Sequence, residues 1–242
     1  MRCLVMHKID AKIEAGGPPD QRIIAEMGEL VGESMKSGVC LDGAGLHRSA
    51  RRARIKARSQ GGAVERGPYE GENELVASVA MVKTRSLDEA IELAVRFGDR
   101  AGGAEVEIGP VVEAWDLGLM PKPSKLEYER FLLLVKGDAK TESGEAPSAE
   151  ERAAIAALAD ELRKQGALLK RMALAPTSKA KRLPSAPKDK RVWLDGPFAE
   201  SKELISGFAL LELPSMADAV TWANRYVAIL GENEVDIRVL TE

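Results

Sequence analysis

Aromatic residues, histidines and cysteines are scarce in this chain. Only 4% of its 242 residues are aromatic, and it has two histidines and two cysteines. Neither sign of charge dominates, because 35 Lys and Arg stand against 38 Asp and Glu, which gives a formal net charge of −3. Nucleic-acid binding normally requires a basic excess, so we do not expect a nucleic-acid partner.

Long apolar runs are also missing. No run reaches the roughly 18–20 residues that cross a bilayer. The N-terminus, MRCLVMHKID, has too short an apolar core for a secretory signal peptide. Cys3 and Cys40 both stand among apolar residues, which favours two buried thiols in a reducing compartment over a disulfide. We therefore expect a cytoplasmic protein with no membrane partner and no cofactor.

The clearest positive feature is an internal repeat. The segment GPYEGENELVASVAMVKTRSLDEAIELAVRF, from Gly67, aligns without a gap with GPFAESKELISGFALLELPSMADAVTWANRY, from Gly196, at an offset of 129. Upstream the offset is 128, so that residues 2–6 face residues 130–134. This register predicts a tandem duplication, with one copy in residues 1–122 and the other in residues 123–242.

Each copy is predicted to contain the same series of elements. The series is strand, helix, strand, hairpin, strand, helix, strand, which is the ferredoxin-like (split βαβ) arrangement of the α+β class. The clearest helix start is Ser148, which forms a capping box with Glu151. The predicted helices are 20–36, 87–97, 149–165 and 216–226, and the predicted strands are 3–7, 39–41, 75–82, 104–112, 131–135, 167–169, 204–213 and 234–240. Two such repeats in one chain are expected to bury their sheets against each other.

The string WLDGPFAESKELISGF, residues 193–208, resembles the signature of the YCII-related or DGPF family, and the strand-helix-strand that follows is similar too. The resemblance covers both halves, although only the second carries the signature intact. It implies an α+β barrel, here an intrachain pseudo-dimer, and leaves a further homodimer open. It also implies lyase or isomerase-type chemistry by a His–Asp pair, with the histidine on or near the first helix. Neither predicted first helix contains a histidine.

Asp195 is the first candidate for chemistry. A carboxylate at a Gly-Pro turn near the mouth of the barrel is able to act as a general base or to bind a cation. The structural alternative is that it accepts backbone N–H bonds and fixes the turn. The first copy has Arg66 at this position, so the two aligned sites differ. Arg66, Lys202 and Glu203 are the predicted ligand-binding residues.

The two histidines, His7 and His47, are the other candidates. His7 would form an acid/base dyad with Asp42 if the ends of the first two strands meet. The alternative is that His7 is only the polar end of a strand. The histidines and cysteines together match no common ligand spacing, so no metal site is predicted.

Six basic residues fall between Arg48 and Arg58. They would form an anion-binding or nucleic-acid patch, or one face of a half-buried strand. Because Arg52 and Arg54 alternate with Ala53 and Ile55, we favour a strand whose basic side chains face solvent.

Two functional hypotheses follow. The first is a small-molecule enzyme or binding protein with a pocket inside the barrel or at its mouth. The second is a non-catalytic interaction or regulatory module with a filled barrel and an exposed apolar patch. The difference between Arg66 and Asp195 favours the first, whose ligand remains unknown.

Overall fold

The computed structural model describes residues 1–58 and 61–241. These residues form a mixed α+β fold. The helices are α1 (Ala11–Glu14), α2 (Gln21–Lys36), α3 (Leu87–Arg100), α4 (Ala139–Glu142), α5 (Ala149–Lys164) and α6 (Met216–Leu230). The strands are β1 (Arg2–Lys8), β2 (Cys40–Leu46), β3 (Ala53–Ile55), β4 (Val64–Arg66), β5 (Val76–Thr84), β6 (Val106–Val112), β7 (Glu129–Lys136), β8 (Leu168–Ala173), β9 (Lys181–Leu183), β10 (Leu194–Asp195), β11 (Ile205–Glu212) and β12 (Val235–Val239).

The strands join into one large antiparallel sheet. Its order is β10-β9-β12-β1-β11-β2-β6-β7-β5-β8, and β3 pairs with β6 and β4. The sheet is open, because this path of hydrogen-bonded strands ends at β10 and β8. A single antiparallel bridge joins Leu174, just after β8, to Leu240, just after β12.

Strands from the two predicted copies are interleaved in the sheet. β11 lies between β1 and β2, so that Phe208 pairs with Met6 on one side and with Ala44 on the other. In the same way β5 lies between β7 and β8. The boundary at residue 122 stays a prediction, since strands from both sides of it pair with one another in the sheet.

Capping side chains begin the four long helices. Ser148 and Glu151 form the predicted capping box of α5, and Asp20 accepts from the Arg22 N–H at the start of α2. Ser86 and Ser215 cap α3 and α6. These helices lie where the sequence predicts them. None of the helices in the described ranges is both long and apolar enough to cross a membrane.

Three apolar clusters hold these elements together. One packs α2 and α6 on the sheet around Trp222, and another packs α3 and α5 around Phe97. The third combines alternate residues of β1, β7 and β11, such as Leu4, Leu132 and Phe208, on the face that turns away from the helices. Strands β1 and β11 therefore share one apolar layer with β5 and β7.

The prediction of a solvated basic face on the strand around Arg54 is wrong. The strand forms as β3, but Arg52 is only 1% exposed and Arg54 only 4%. Arg52 Nη1 donates to Glu107 at 2.8 Å, and Arg54 Nη2 donates to Glu74 at 2.7 Å. Lys136 contacts both carboxylates. We call these five residues the first ionic cluster. Because each of its cations contacts a buried carboxylate, the basic face of β3 can be buried.

A second ionic cluster lies at aligned positions. It consists of Lys8, Arg182, Glu234 and Asp236. Arg182 donates through Nε and Nη2 to the two oxygens of Asp236, at 2.6 and 2.9 Å. Lys8, Arg182 and Asp236 align with Lys136, Arg54 and Glu107 of the first cluster.

Candidate functional site

A cavity of about 620 Å³ lies between helix α2 and the strands β1, β2 and β11. Its helical wall is apolar and consists of the half-buried side chains of Ile23, Ile24, Met27 and Val31. The volume is typical of small-molecule sites, which span about 300–1,000 Å³. The cavity lies beneath α2 and also reaches Leu46, Val111 and Phe208 of the third apolar cluster. The predicted pocket lay inside the barrel or at its mouth.

Glycines on the strands form part of the cavity floor. Gly43 and Gly45 of β2 leave backbone where other residues would place side chains. Gly207 of β11 lies under the ring of His7, since a Cβ added there would come within 2.9 Å of His7 Cε1 and 2.5 Å of the Ala44 carbonyl oxygen. The cavity thus depends on glycine at these positions of the strands, because larger residues would place side chains there.

His7 provides a polar group in the cavity wall. Its Nδ1 lies 2.8 Å from the hydroxyl of Tyr226 on α6, and the two rings meet edge to face. Burial lowers the pKa of His7 to about 4, helped by the charge of Lys8, and burial raises the pKa of Tyr226. Both groups are therefore neutral at neutral pH. Nε2 of His7 has no hydrogen-bond partner among residues 1–58 and 61–241, so it is available to a bound molecule as donor or acceptor, according to the tautomer.

His47 lies at another part of the same wall. Its Nε2 is 3.2 Å from the carboxylate of Asp116 and 3.0 Å from Nη1 of Arg51. Burial lowers the pKa of His47 and the charge of Arg51 lowers it further, while Asp116 opposes both. Sequence reasoning missed this pair, because Asp116 lies 69 residues away from His47 in the chain. Both histidines of the chain thus line one cavity.

The structure does not form the predicted dyad of His7 and Asp42. Asp42 pairs across the sheet with Leu210, which belongs to the core on the face away from the helices, and its carboxylate contacts Lys170. His7 pairs with Gly207 on the cavity face. The two side chains therefore leave the sheet on opposite faces.

The other predicted site residues do not line the cavity. Asp195 is 79% exposed and pairs with Lys181 at 2.5 Å. Arg66 pairs with Asp88 on the surface. Lys202 lies 3.3 Å from Glu200, and Glu203 is exposed. The structure brings none of these four together with His7.

The Gly-Pro turns next to Asp195 and Arg66 pack against the backbone. A Cβ added at Gly196 would lie 1.7 Å from the carbonyl oxygen of Thr177, and one at Gly67 would lie 1.8 Å from that of Ser49. The N–H of Phe198 donates to Thr177 Oγ1 at 3.0 Å. Glycine is needed at both positions for close contact with the backbone, which is a structural role.

Within the described ranges, no group of three or more His, Cys, Asp or Glu side chains is placed to hold a metal ion. In a comparison with known families, residues 130–236 match the model of the YCII-related domain. No curated protein and no solved structure matches the chain. The matched region contains β11 and Tyr226 of the cavity, whereas His7 and α2 lie outside it.

Proposed function

We propose that this chain, whose residues 130–236 match the model of the YCII-related domain, binds a small and mainly apolar molecule in the cavity beneath α2. The observation that carries the proposal is that both histidines of the chain line this one cavity, opposite an apolar wall formed by α2. Small-molecule sites combine an apolar lining with a few polar groups that fix orientation. Here Ile23, Met27 and Val31 supply the lining, and His7 supplies a polar group.

Binding is favoured over proton transfer as the role of His7. A general base works best when its pKa is near the working pH. Since burial lowers the pKa of His7 to about 4, the ring is a weak base at neutral pH. A neutral imidazole held by Tyr226 is suited to orient a ligand by a hydrogen bond.

We also infer that the sheet consists of two ferredoxin-like units that form a pseudo-dimer within the chain. The order β12-β1-β11-β2, with α2 and α6, and the order β6-β7-β5-β8, with α3 and α5, each agree with the split-βαβ arrangement. Pairing of β2 with β6 joins the units at one side, and the bridge from Leu174 to Leu240 approaches closure at the other.

Contacts at aligned positions support the duplication. Glu14 accepts from the N–H and hydroxyl of Ser49, and Glu142 accepts from the same groups of Thr177, with both partners displaced by 128 residues.

The alternative function is an interaction module. Such a module would use the same scaffold without any ligand in the cavity.

The test uses N-phenyl-1-naphthylamine, an uncharged dye whose fluorescence rises in apolar surroundings. We expect saturable binding to the wild-type chain. Met27→Trp places a large side chain in the cavity and should weaken binding by at least about tenfold. Glu29→Trp adds the same side chain at an exposed position of the same helix and should bind as wild type does.

Two results would contradict the proposal. One is the absence of saturable fluorescence with the wild-type chain. The other is equal binding by the Met27→Trp and Glu29→Trp variants, which would place the dye elsewhere and favour the interaction module.

A further inference from the structure

Three arginines line the cavity, and they differ in how their charge is satisfied. Arg130 donates through Nε and Nη2 to the two oxygens of Glu113, at 2.7 and 2.6 Å. This bidentate pair uses the charge of Arg130 within the protein. Arg48 and Arg51 have no carboxylate within ion-pair distance in the part of the chain that the structure describes.

The positions of Arg48 and Arg51 are defined by their neighbours. The guanidinium of Arg48 lies against Gly16, where an added Cβ would be 2.7 Å from Nη1. Gly16 has a φ of 89°, a conformation that favours glycine, and it also lines the cavity. Arg51 Nη1 contacts the ring of His47. Both cations are thus held at the edge of the cavity and remain exposed there.

The carboxylates that line the cavity are engaged elsewhere. Asp116 contacts His47 and accepts from the N–H of Glu113 at 2.9 Å. Asp10 and Asp20 accept backbone N–H bonds at the starts of α1 and α2. Among the described residues, Arg48 and Arg51 therefore carry their charge without a carboxylate paired directly to them.

This pair of cations is confined to one half of the chain. The positions aligned with His47, Arg48 and Arg51 hold Ala175, Pro176 and Lys179. Only the position of Arg51 keeps a cation in the other half, so the pair has no counterpart there.

We infer that the ligand is an organic acid with an apolar body, whose anionic group is held by Arg48 and Arg51 while the body lies along α2 toward His7. The inference rests on the proposed function and adds the chemical class of the ligand. Guanidinium groups suit a carboxylate because their planar N–H donors match its two oxygens. The apolar wall of Ile23 and Met27 accounts for the rest of the molecule.

The experiment measures how octanoate and octan-1-ol displace N-phenyl-1-naphthylamine at low ionic strength. The two competitors share the same length of chain and differ in charge, and the dye itself is neutral. We expect octanoate to compete at least about tenfold better in the wild-type chain, and we expect Arg48→Gln/Arg51→Gln to remove most of this preference. Lys179→Gln removes one charge at the exposed position aligned with Arg51 and should keep the preference.

Each outcome separates the two proposals. If the dye binds but octanoate and octan-1-ol compete equally, or if the preference survives in the double variant, the organic-acid inference is wrong and the cavity still binds ligands. If the dye does not bind, the proposed function itself fails. Circular dichroism of the double variant checks the fold, which exposed substitutions should leave intact.

Discussion

The two halves of the chain share a scaffold but differ in the space beneath their first long helix. Beneath α2, His7 and Gly43 border a cavity, and the aligned residues near α5 are Val135 and Arg171. Tyr226, which holds His7, aligns with Phe97, a residue of the apolar core. A few substitutions, each of which changes size or polarity, therefore distinguish the cavity from its counterpart.

The shared features are those that hold the fold. Each buried ionic cluster combines residues of both halves, Lys136 with Glu107 and Lys8 with Asp236, and each half has a Gly-Pro turn packed on a backbone carbonyl. The comparison thus divides the residues into two groups. Substitution of the shared residues should destabilise the fold. Substitution of the residues found only around the cavity should affect stability and binding only through the cavity.

Removal of one charge from the first ionic cluster is expected to have the largest effect. Glu107 is fully buried and accepts from Arg52 and Lys136 at 2.8 and 3.1 Å. Glu107→Gln leaves these cations buried with one carboxylate fewer, and breaking a buried ion pair costs about 3–5 kcal/mol. Urea unfolding should show this loss in the free energy of unfolding. Asp236→Asn, at the aligned position, should lose less because Glu234 remains near Lys8.

The same carboxylate predicts a dependence on acid. Burial alone would raise the pKa of Glu107, but the charges of Lys136 and Arg52 outweigh it and lower the pKa from 4.5 to about 2. The stability that Glu107 contributes is therefore full above pH 4.5 and is lost as the pH falls toward 2. An equally stable Glu107→Gln variant, with the acid dependence of the wild type, would contradict the account.

Substitution of the turn glycines should destabilise both halves alike. Gly67→Ala and Gly196→Ala each place a Cβ within 2 Å of a carbonyl oxygen, at 1.8 and 1.7 Å, so the backbone must move. Overpacking of this kind costs about 3 kcal/mol. Gly28→Ala on α2 is the control, because nothing lies within 4 Å of its Cβ, and alanine favours a helix. Thermal unfolding of the three variants checks the ranking, and a loss of stability in only one of the two turn-glycine variants would contradict the comparison.

His7 should make the free energy of unfolding depend on pH, whereas the aligned residue Val135 cannot titrate. Burial lowers its pKa from 6.5 to about 4, so between these values the unfolded chain binds a proton that the folded chain does not. Stability is therefore full above pH 6.5 and falls by about 2–3 kcal/mol as the pH decreases to 4. His7→Phe should flatten this decrease in urea unfolding, leaving the contribution of His47, whose pKa shifts in the same direction. Identical profiles for the variant and the wild type would contradict a buried neutral His7.

Asp195 is expected to have the smallest effect. Its side chain is 79% exposed and contacts Lys181 only on the surface, and such pairs are worth about 0–1 kcal/mol. Asp195→Asn should change the free energy of unfolding by less than about 0.5 kcal/mol and leave dye binding unchanged. A loss of binding would restore Asp195 as a site residue.

Local sequence signals predicted the elements well. Capping residues such as Asp20, Ser86 and Ser148 give the starts of helices because they satisfy N–H groups within a few residues. The apolar strands were predictable too, because the alternation of apolar and polar residues is also a local pattern. These signals establish the α+β class and the order of elements.

The pairing of strands and the position of the cavity were not predictable in this way. His7 meets Tyr226 across 219 positions of the chain, and Asp42 faces the opposite side of the sheet through its pairing with Leu210. Ile23 and Met27 have the spacing of core residues, and only the three-dimensional packing shows that the sheet does not cover them fully. The burial of Arg54 likewise depends on Glu74, which a local pattern does not reveal.

The most direct measurement is a ¹⁵N NMR spectrum of the histidine side chains during titration with N-phenyl-1-naphthylamine. The chain has two histidines, and both line the cavity beneath α2, so the assignment needs only His47→Gln as a second sample. We expect the ring nitrogens of His7 to shift with the same saturation curve as the dye fluorescence. If the dye saturates while both histidine signals stay unchanged, the cavity is not the binding site and the proposed function is wrong.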